Sequence, residues 1–198
     1  MIEGEGMKKF YLLRHCQTLF NRQGRIQGCS DSPLTQKGIQ QAKESRDWFK
    51  IKGVDRQAIY ASTQERASDT ARLVAEHNVI KPIKGIKEMN FGIFEAQPEK
   101  ILPKFRLGAR SFEDLLVPYG GEDILEVGKR VHRAILTVAE EDPAQDIIMV
   151  NHGAALWGLI QYLDIAFPEG LGFGNCNICH YDYENGSLIL KRVIDPLK

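Results

Sequence analysis

Hydrophobic positions along the chain follow two alternating patterns, short apolar runs and longer amphipathic stretches. The apolar runs are too short for helices and therefore predict buried strands; they cover residues 8–14, 58–62, 82–89 and 146–153. The amphipathic stretches have apolar residues three or four positions apart and predict helices; they cover residues 35–50, 63–78, 120–142 and 154–163. A last segment, 177–193, predicts a hairpin that turns at Asn185 and Gly186.

Two of the predicted helices begin with recognisable signals. Thr35 precedes the first helix, and its hydroxyl can accept a hydrogen bond from a free backbone N–H of the first turn. Gly121, Glu122 and Asp123 give the third helix an acidic first turn. The segment 97–120 is irregular and contains Pro and Gly, so we interpret it as a lid or specificity region.

Strands that alternate with helices predict an α/β fold with a mostly parallel sheet covered on both faces. In such sheets ligands bind beyond the carboxyl ends of the strands. Polar groups stand at or just after four predicted strand ends; they are Arg14 with His15, Ser62 through Arg66, Glu88, and Asn151 through Gly153. The pattern therefore predicts one site at this edge of the sheet.

The length of 198 residues and the lack of a linker or repeat predict one domain over residues 7–198. Residues 1–6 precede Met7 and the first apolar run, and we interpret them as an extension outside the fold. Basic and acidic residues balance at 26 each, which argues against a nucleic-acid partner. The chain contains no apolar run long enough to span a membrane and no signal-peptide pattern at its start, so we expect a cytoplasmic protein.

Four cysteines, Cys16, Cys29, Cys176 and Cys179, are expected to be reduced thiols in a cytoplasmic chain. The run "CNICH" matches the spacing for haem attachment, but it falls in a predicted strand. Positions three apart on a strand project to opposite faces, which argues against both haem attachment and a zinc site at Cys176 and Cys179.

Two arginines and two histidines at one site would suit a tetrahedral dianion, because guanidinium groups bind phosphate oxygens bidentately and stay charged. No metal or other cofactor is then required. A histidine can attack phosphorus when a hydrogen bond on its other nitrogen fixes the tautomer. The leaving alkoxide needs a proton, which a carboxylic acid beside the phosphate can supply.

The blocks that carry these residues resemble the histidine phosphatase superfamily, the phosphoglycerate-mutase-like proteins. The resemblance rests on four blocks in the family's order, which are "LLRHCQTLFNRQGRIQGCSDSPLTQKGIQQA", "YASTQERASDTA", "IKEMNFGIFEA" and "VNHGA". It implies a three-layer α/β/α sandwich and a small phosphorylated substrate.

Carried over residue by residue, the resemblance implies a role for each matching position. His15 would accept the phosphoryl group, and Arg14, Arg66 and His152 would hold its oxygens. Glu88 would protonate the leaving group and then activate the water that releases phosphate. The resemblance also implies that four further residues contact or approach the substrate; they are Asn21, Gln27, Gly28 and Gly153.

Cys16 occupies the position where the family has glycine. Cys16 and Arg22 also fit the spacing of cysteine-dependent phosphatases, but the residues between them include no glycine to close a phosphate loop. Neighbouring side chains on an extended chain face opposite ways, so Cys16 should face away from a pocket that His15 faces.

The sequence thus predicts a metal-independent phosphomonoesterase. Two alternatives stay open: a phosphoglycerate-type mutase, and a phosphate-binding module that Cys16 has weakened as a catalyst. The oligomeric state and the natural substrate are not predicted.

Overall fold

The computed structural model describes residues 7–167 and 172–198. Within them, the strands are β1 (Lys8–Arg14), β2 (Ala58–Ser62), β3 (Ile80–Ile83), β4 (Asp146–Asn151), β5 (Ile178–Glu184) and β6 (Ser187–Ile194). The helices are α1 (Leu19–Gln23), α2 (Gln36–Ile51), α3 (Glu65–Ala75), α4 (Ile124–Glu141) and α5 (Gly153–Tyr162). The predicted extension at 1–6 lies outside the described residues.

The strands form one sheet in the order β3-β2-β4-β1-β5-β6. The first four of these are mutually parallel, whereas β5 is antiparallel to both β1 and β6. The predicted turn of the β5–β6 hairpin is present, with positive φ angles of 50° at Asn185 and 78° at Gly186. The sheet is therefore mixed but mostly parallel, and the predicted α/β fold class is confirmed.

Two apolar cores lie on opposite faces of the sheet, because successive side chains of a strand alternate between faces. Phe10 and Leu12 of β1 pack in the core that α4 and α5 cover. Tyr11 and Leu13 pack in the core that α2 and α3 cover. The sandwich therefore has three layers, as predicted.

The prediction of a strand over 82–89 is wrong in its bounds. The strand ends at Ile83, and a single 3-10 turn, Lys84–Ile86, follows. A Cβ at Gly85 would lie 2.6 Å from the Cβ of Ala134, so α4 approaches the chain closely here. The chain turns at this point, and Glu88 lies in a loop rather than at a strand end.

The short helix α1 was not predicted. Thr18 begins it with a capping box, in which the Thr18 hydroxyl and the side chain of Asn21 each bond to the other residue's backbone N–H. Gly24 ends it with a left-handed φ of 61°. The helix has no buried residue, so it lacks the apolar periodicity by which helices are recognised. Thr35 caps α2 as predicted, accepting a bond from the Gly38 N–H.

Among the described residues, no helix is both long and apolar enough to cross a membrane. The segment 97–120 contains only two single 3-10 turns within its irregular course, Glu99–Ile101 and Val117–Tyr119.

Helices α4 and α5 cross at two glycines. A Cβ at Gly128 would collide with the backbone carbonyl of Gly158, and a Cβ at Gly158 would lie 2.9 Å from the backbone nitrogen of Gly128. In each case the added Cβ would meet backbone atoms of the other helix, and backbone atoms cannot move aside by a side-chain rotation. Glycine at these positions sets the distance between the helices.

We predict that Gly128→Ala destabilises the protein by about 1–3 kcal/mol, the usual cost of overpacking. Helix propensity alone would stabilise the alanine variant by about 1 kcal/mol. A loss of stability therefore indicates overpacking, and a gain indicates helix propensity. Denaturant unfolding measures it, with Gly172→Ala as control because a Cβ there meets nothing within 4 Å. A Gly128→Ala protein as stable as wild type would contradict the close crossing.

Candidate active site

The carboxyl ends of the central strands bring the predicted residues together. Arg14 at the end of β1 pairs in register with Asn151 at the end of β4. The next residue on each strand is a buried histidine, and the ring centroids of His15 and His152 are 5.3 Å apart. Arg66 enters from the first turn of α3, and Glu88 enters from the loop after β3.

The tautomer of His15 follows from one hydrogen bond. Its Nδ1 lies 2.9 Å from the backbone carbonyl oxygen of Cys16. A carbonyl oxygen only accepts, so Nδ1 carries the proton and Nε2 keeps its lone pair. Burial lowers the pKa of His15 well below its usual value, and the charges of Arg14 and Arg66 lower it further. His15 is therefore a neutral imidazole with one unprotonated nitrogen.

His152 is neutral for similar reasons. Burial lowers the pKa of its ring well below the usual value, and the charge of Arg66 and then the neighbouring His15 add to the effect. Neither ring nitrogen of His152 has a hydrogen-bond partner within the described part of the chain. A neutral ring can donate one N–H to an oxyanion placed between the two histidines.

Arg66 is fully buried, and backbone carbonyls orient its guanidinium. It donates to Gln27 O at 3.2 Å and to Gly28 O at 3.0 Å, and it forms an ion pair of 3.0 Å with Asp31. The Arg14 guanidinium donates to the carbonyl of Phe173. Both side chains are thus fixed before any ligand binds.

Several buried donors around His15 lack a partner among the described residues; they include Nε of Arg14, Nε of Arg66 and Nε2 of Gln27. Buried polar groups are nearly always hydrogen-bonded, so a cluster of unpaired donors marks a place for an acceptor. A tetrahedral oxyanion offers several acceptor oxygens to such a cluster.

Glu88 is held rigidly at the start of α5. Its carboxylate accepts backbone N–H bonds from Met89 at 2.9 Å, Ala154 at 3.1 Å and Ala155 at 2.8 Å. Arg130 also binds this loop, donating to the carbonyls of Lys87 and Glu88. Glu88 and His15 line the same cavity, so the fixed carboxyl group lies at the pocket that His15 faces.

The four predicted contact residues divide into two pairs. Asn21 and Gln27 line the cavity beside His15, and each uses its amide oxygen internally, which leaves its NH2 group to donate. The two glycines contact the arginines, and Gly153 also lines the cavity. The carbonyl of Gly28 accepts from Arg66, and a Cβ at Gly153 would lie 3.3 Å from Nε of Arg14.

A cavity of about 480 Å³ opens beside His15. Its polar side is lined by Arg14, His15, Asn21, Gln27, Glu88 and Gly153. Aromatic side chains that were not predicted line the rest; they are Phe91, Phe105, Phe112, Trp157 and Phe173. Phe91, Phe105, Phe112 and Phe173 lie in irregular segments that carry no periodic signal. Trp157 lies on the predicted helix α5, where periodicity does not show which residues line a cavity. Within the described residues, no three His, Cys, Asp or Glu side chains come together as metal ligands would.

The expectation of four reduced thiols is wrong for two of them. Cys16 and Cys176 form a disulfide, with Cα atoms 5.0 Å apart across a sequence separation of 160 residues. Backbone bonds run alongside it, from Arg14 N to Asn177 O at 3.0 Å and from Cys176 N to Arg14 O at 3.2 Å. The disulfide therefore ties the residue after His15 to the segment that carries Phe173.

The expected orientations of the cysteines hold. Cys16 packs in the core under α2 and α3, away from the cavity that His15 lines. Cys176 packs in the same core, whereas Cys179 packs in the core on the opposite face. The two cysteines of "CNICH" therefore cannot act together on one ligand.

The fold and the site together define an α/β sandwich with a cavity beside Arg14 and His15 at the carboxyl edge of its central strands. Residues 10–196 match the family model of the histidine phosphatase superfamily, branch 1. The chain belongs to this superfamily, as the sequence blocks predicted.

Named relatives carry both mutase and phosphatase titles. The chain is 31% identical over 189 residues to the probable phosphoglycerate mutase GpmB of Yersinia pestis (strain Pestoides F), covering 90% of this chain and 86% of the relative. A phosphoglycerate mutase from Bacillus anthracis str. Sterne superposes with a TM-score of 0.81 at 26% identity, covering 95% and 93% of the two chains. A phosphoserine phosphatase from Entamoeba histolytica, solved with 3-phosphoglyceric acid, superposes with a TM-score of 0.77 at 29% identity, covering 95% and 97%.

The lowered pKa values of His15 and His152 predict how stability depends on pH. Their unfolded value is about 6.5, so below that pH the unfolded chain binds more protons than the folded one. The free energy of unfolding should therefore fall as the pH falls from 7 to 5. Each histidine contributes up to about one proton that the unfolded chain binds and the folded chain does not. Urea unfolding at each pH measures the slope, and His15→Gln or His152→Gln should make it shallower. Equal slopes in all three proteins would contradict the buried neutral pair.

The disulfide predicts a redox-dependent stability. It closes a loop of 160 residues, so Cys176→Ser or reduction by dithiothreitol should cost about 2–4 kcal/mol through the unfolded state. Cys29→Ser is the matched control, because Cys29 is a free, exposed thiol. Four titratable thiols in unreduced, denatured protein would show that the bond does not form.

Proposed function

We propose that the protein is a phosphomonoesterase that works through a phosphohistidine on His15. The observation that carries the proposal is the hydrogen bond from Nδ1 to the Cys16 carbonyl, which leaves Nε2 unprotonated beside two guanidinium groups. A neutral, oriented imidazole among fixed cations suits attack on a phosphate dianion.

In the first step Nε2 of His15 attacks phosphorus, so an N–P bond forms while the P–O bond to the alcohol breaks. Arg14, Arg66 and His152 bind the phosphoryl oxygens, and the free amide groups of Asn21 and Gln27 add donors. Glu88 enters this step as the protonated carboxylic acid, gives its proton to the leaving alkoxide and becomes a carboxylate.

In the second step water attacks the phosphorus of phosphohistidine while Glu88 takes back a proton. The N–P bond breaks, and inorganic phosphate and neutral His15 are restored. The same carboxyl acts as acid and then as base, so its fixed position at the start of α5 serves both steps. No step requires a metal or another cofactor.

A mutase differs in the last step, since a substrate hydroxyl replaces water. The relatives titled phosphoglycerate mutase keep this candidate open. Product analysis with 3-phosphoglycerate and a bisphosphorylated primer distinguishes the two. Release of free phosphate supports the phosphatase, and a product isomer with little phosphate supports the mutase.

We predict that His15→Ala lowers turnover by about a thousandfold or more, because the nucleophile is lost. Cys16→Ser should keep most of its activity at a temperature where it is folded, since Cys16 faces the core and only its carbonyl serves His15. Phosphate release from a panel of phosphomonoesters measures both, and Cys176→Ser controls for loss of the disulfide. Activity that survives in His15→Ala would sink the proposal. A wild type that binds phosphate without turning over any ester would instead support the weakened-module alternative.

A further inference from the structure

The cavity beside His15 has two chemically different ends. The end at His15 is polar, with the groups that would hold a phosphoryl group. The other end is apolar; its walls include Phe91, Leu102, Phe105, Phe112, Trp157 and Phe173. A volume of about 480 Å³ lies within the usual range for small-molecule sites. An ester whose phosphate sits at His15 would therefore place its alcohol portion among these apolar groups.

Charged groups are scarce at the apolar end. Among the described residues that line the cavity, the charged side chains are Arg14, Arg25, Glu88 and Glu99. Arg14 and Glu88 belong to the phosphate end. Arg25 and Glu99 are exposed and carry opposite charges, and Arg25 already donates to the carbonyl of Ala96 at 3.1 Å. This end offers no cluster of cations to a second anionic group.

Three apolar residues of the irregular segment 97–120 line the cavity, and none of its described cations does. Leu102, Phe105 and Phe112 line the cavity. Arg106 pairs with Glu113 and Asp114 on the exposed side of the segment. The segment was interpreted as a lid or specificity region, and the structure places two of its aromatic rings at the cavity wall.

Arg110 is also committed to a structural contact. It donates to the carbonyl of Phe167 at 3.0 Å, and its guanidinium lies 5.7 Å from the centre of the Trp157 ring. The Trp157 indole N–H in turn donates to the carbonyl of Arg110 at 2.9 Å. These contacts occupy the indole donor, so Trp157 presents its ring to the cavity.

The aromatic walls are preorganised by contacts among themselves. Phe112 packs edge-on against Phe105 at 4.7 Å and against Phe91 at 6.2 Å between ring centres. Trp157 packs edge-on against Phe173 at 6.0 Å on another wall. Edge-to-face packing of this kind fixes ring positions. A carboxylate placed between such walls would lose its hydration, and among the described lining residues beyond the phosphate end only the exposed Arg25 could pair with it.

From this arrangement we infer that the substrate is a phosphomonoester whose alcohol portion is uncharged and largely apolar, about the size of one aromatic ring with a short chain. The inference rests on the proposed phosphatase function and names the substrate class of the same site. Phe105 and Phe112 then act as specificity-determining residues, because they contact the alcohol portion and not the reacting phosphorus.

The first experiment compares phenylpropyl phosphate with 3-phosphoglycerate. Both are esters of primary alcohols, and the glycerate alkoxide is the better leaving group, so intrinsic reactivity works against the inference. We expect kcat/KM to be higher for phenylpropyl phosphate by about tenfold or more. An equal or higher value for 3-phosphoglycerate would overturn the inference while leaving phosphatase activity established.

The second experiment tests the wall itself. Phe105 lies on a partly exposed loop, so Phe105→Ala should leave the core intact. We expect it to lower kcat/KM for phenylpropyl phosphate about fivefold, mainly through KM, with no change for methyl phosphate, which is too short to reach the ring. Leu107→Ala is the matched control, because Leu107 is in the same segment, fully exposed and outside the cavity. If Phe105→Ala leaves kcat/KM for phenylpropyl phosphate unchanged, or lowers kcat/KM for methyl phosphate equally, the assignment of Phe105 as a specificity-determining residue is contradicted.

A failure of the proposed function remains distinguishable. If no phosphomonoester is hydrolysed, calorimetry with phenylbutylphosphonate and phosphonobutyrate measures the same preference without turnover. If the phenyl compound binds more tightly, and Phe105→Ala but not Leu107→Ala weakens that binding, the apolar site is supported and the proposed catalytic function is contradicted. Equal or tighter binding of phosphonobutyrate would reject the apolar site as well.

Discussion

The parallel pairing of β1 with β4 at the centre of the sheet is the constraint on which the site depends. Its register sets Arg14 opposite Asn151, and the backbone N–H of His15 continues the ladder to the carbonyl of Asn151 at 2.9 Å. The two histidines therefore leave the sheet side by side. A slip of one residue would turn His15 toward the core and bring Cys16 to the cavity.

The same cations that would bind a phosphate also keep the histidines neutral. Arg14 and Arg66 lower the pKa of His15, and burial has the larger effect. Packing cations and imidazoles this closely lowers the stability of the fold. The backbone carbonyls and Asp31 that bind Arg66, and the nearby carboxylate of Glu88, offset part of this cost. Such sites are commonly less stable than the fold could be, because function requires the strained arrangement. The disulfide and the backbone bonds to Asn177 and Cys176 tie down the loop that follows β1.

The sequence predicted the parts of the site that lie on regular elements. Arg14, His15 and His152 follow strands whose apolar runs are easily recognised, and Arg66 lies on a helix with a clear apolar stripe. Glu88 was identified through the family resemblance of the block "IKEMNFGIFEA", although the loop that contains it was predicted to be a strand. The disulfide was not predicted, because whether two cysteines 160 residues apart meet depends on the tertiary arrangement of the strands and not on local sequence. The aromatic wall was missed because Phe105 and Phe112 lie in an irregular segment, where local pattern does not determine direction.

The proposed mechanism depends above all on the transfer of the phosphoryl group to His15. The most direct measurement is rapid mixing with a phosphomonoester, quenching in alkali, in which phosphohistidine survives, and mass spectrometry of the peptides. We expect the added mass of one phosphoryl group on the peptide that contains His15, with fragment ions that assign it to that residue, and no added mass in His15→Ala. A phosphoryl group on any other residue, or its absence while the enzyme turns over, would contradict the claim.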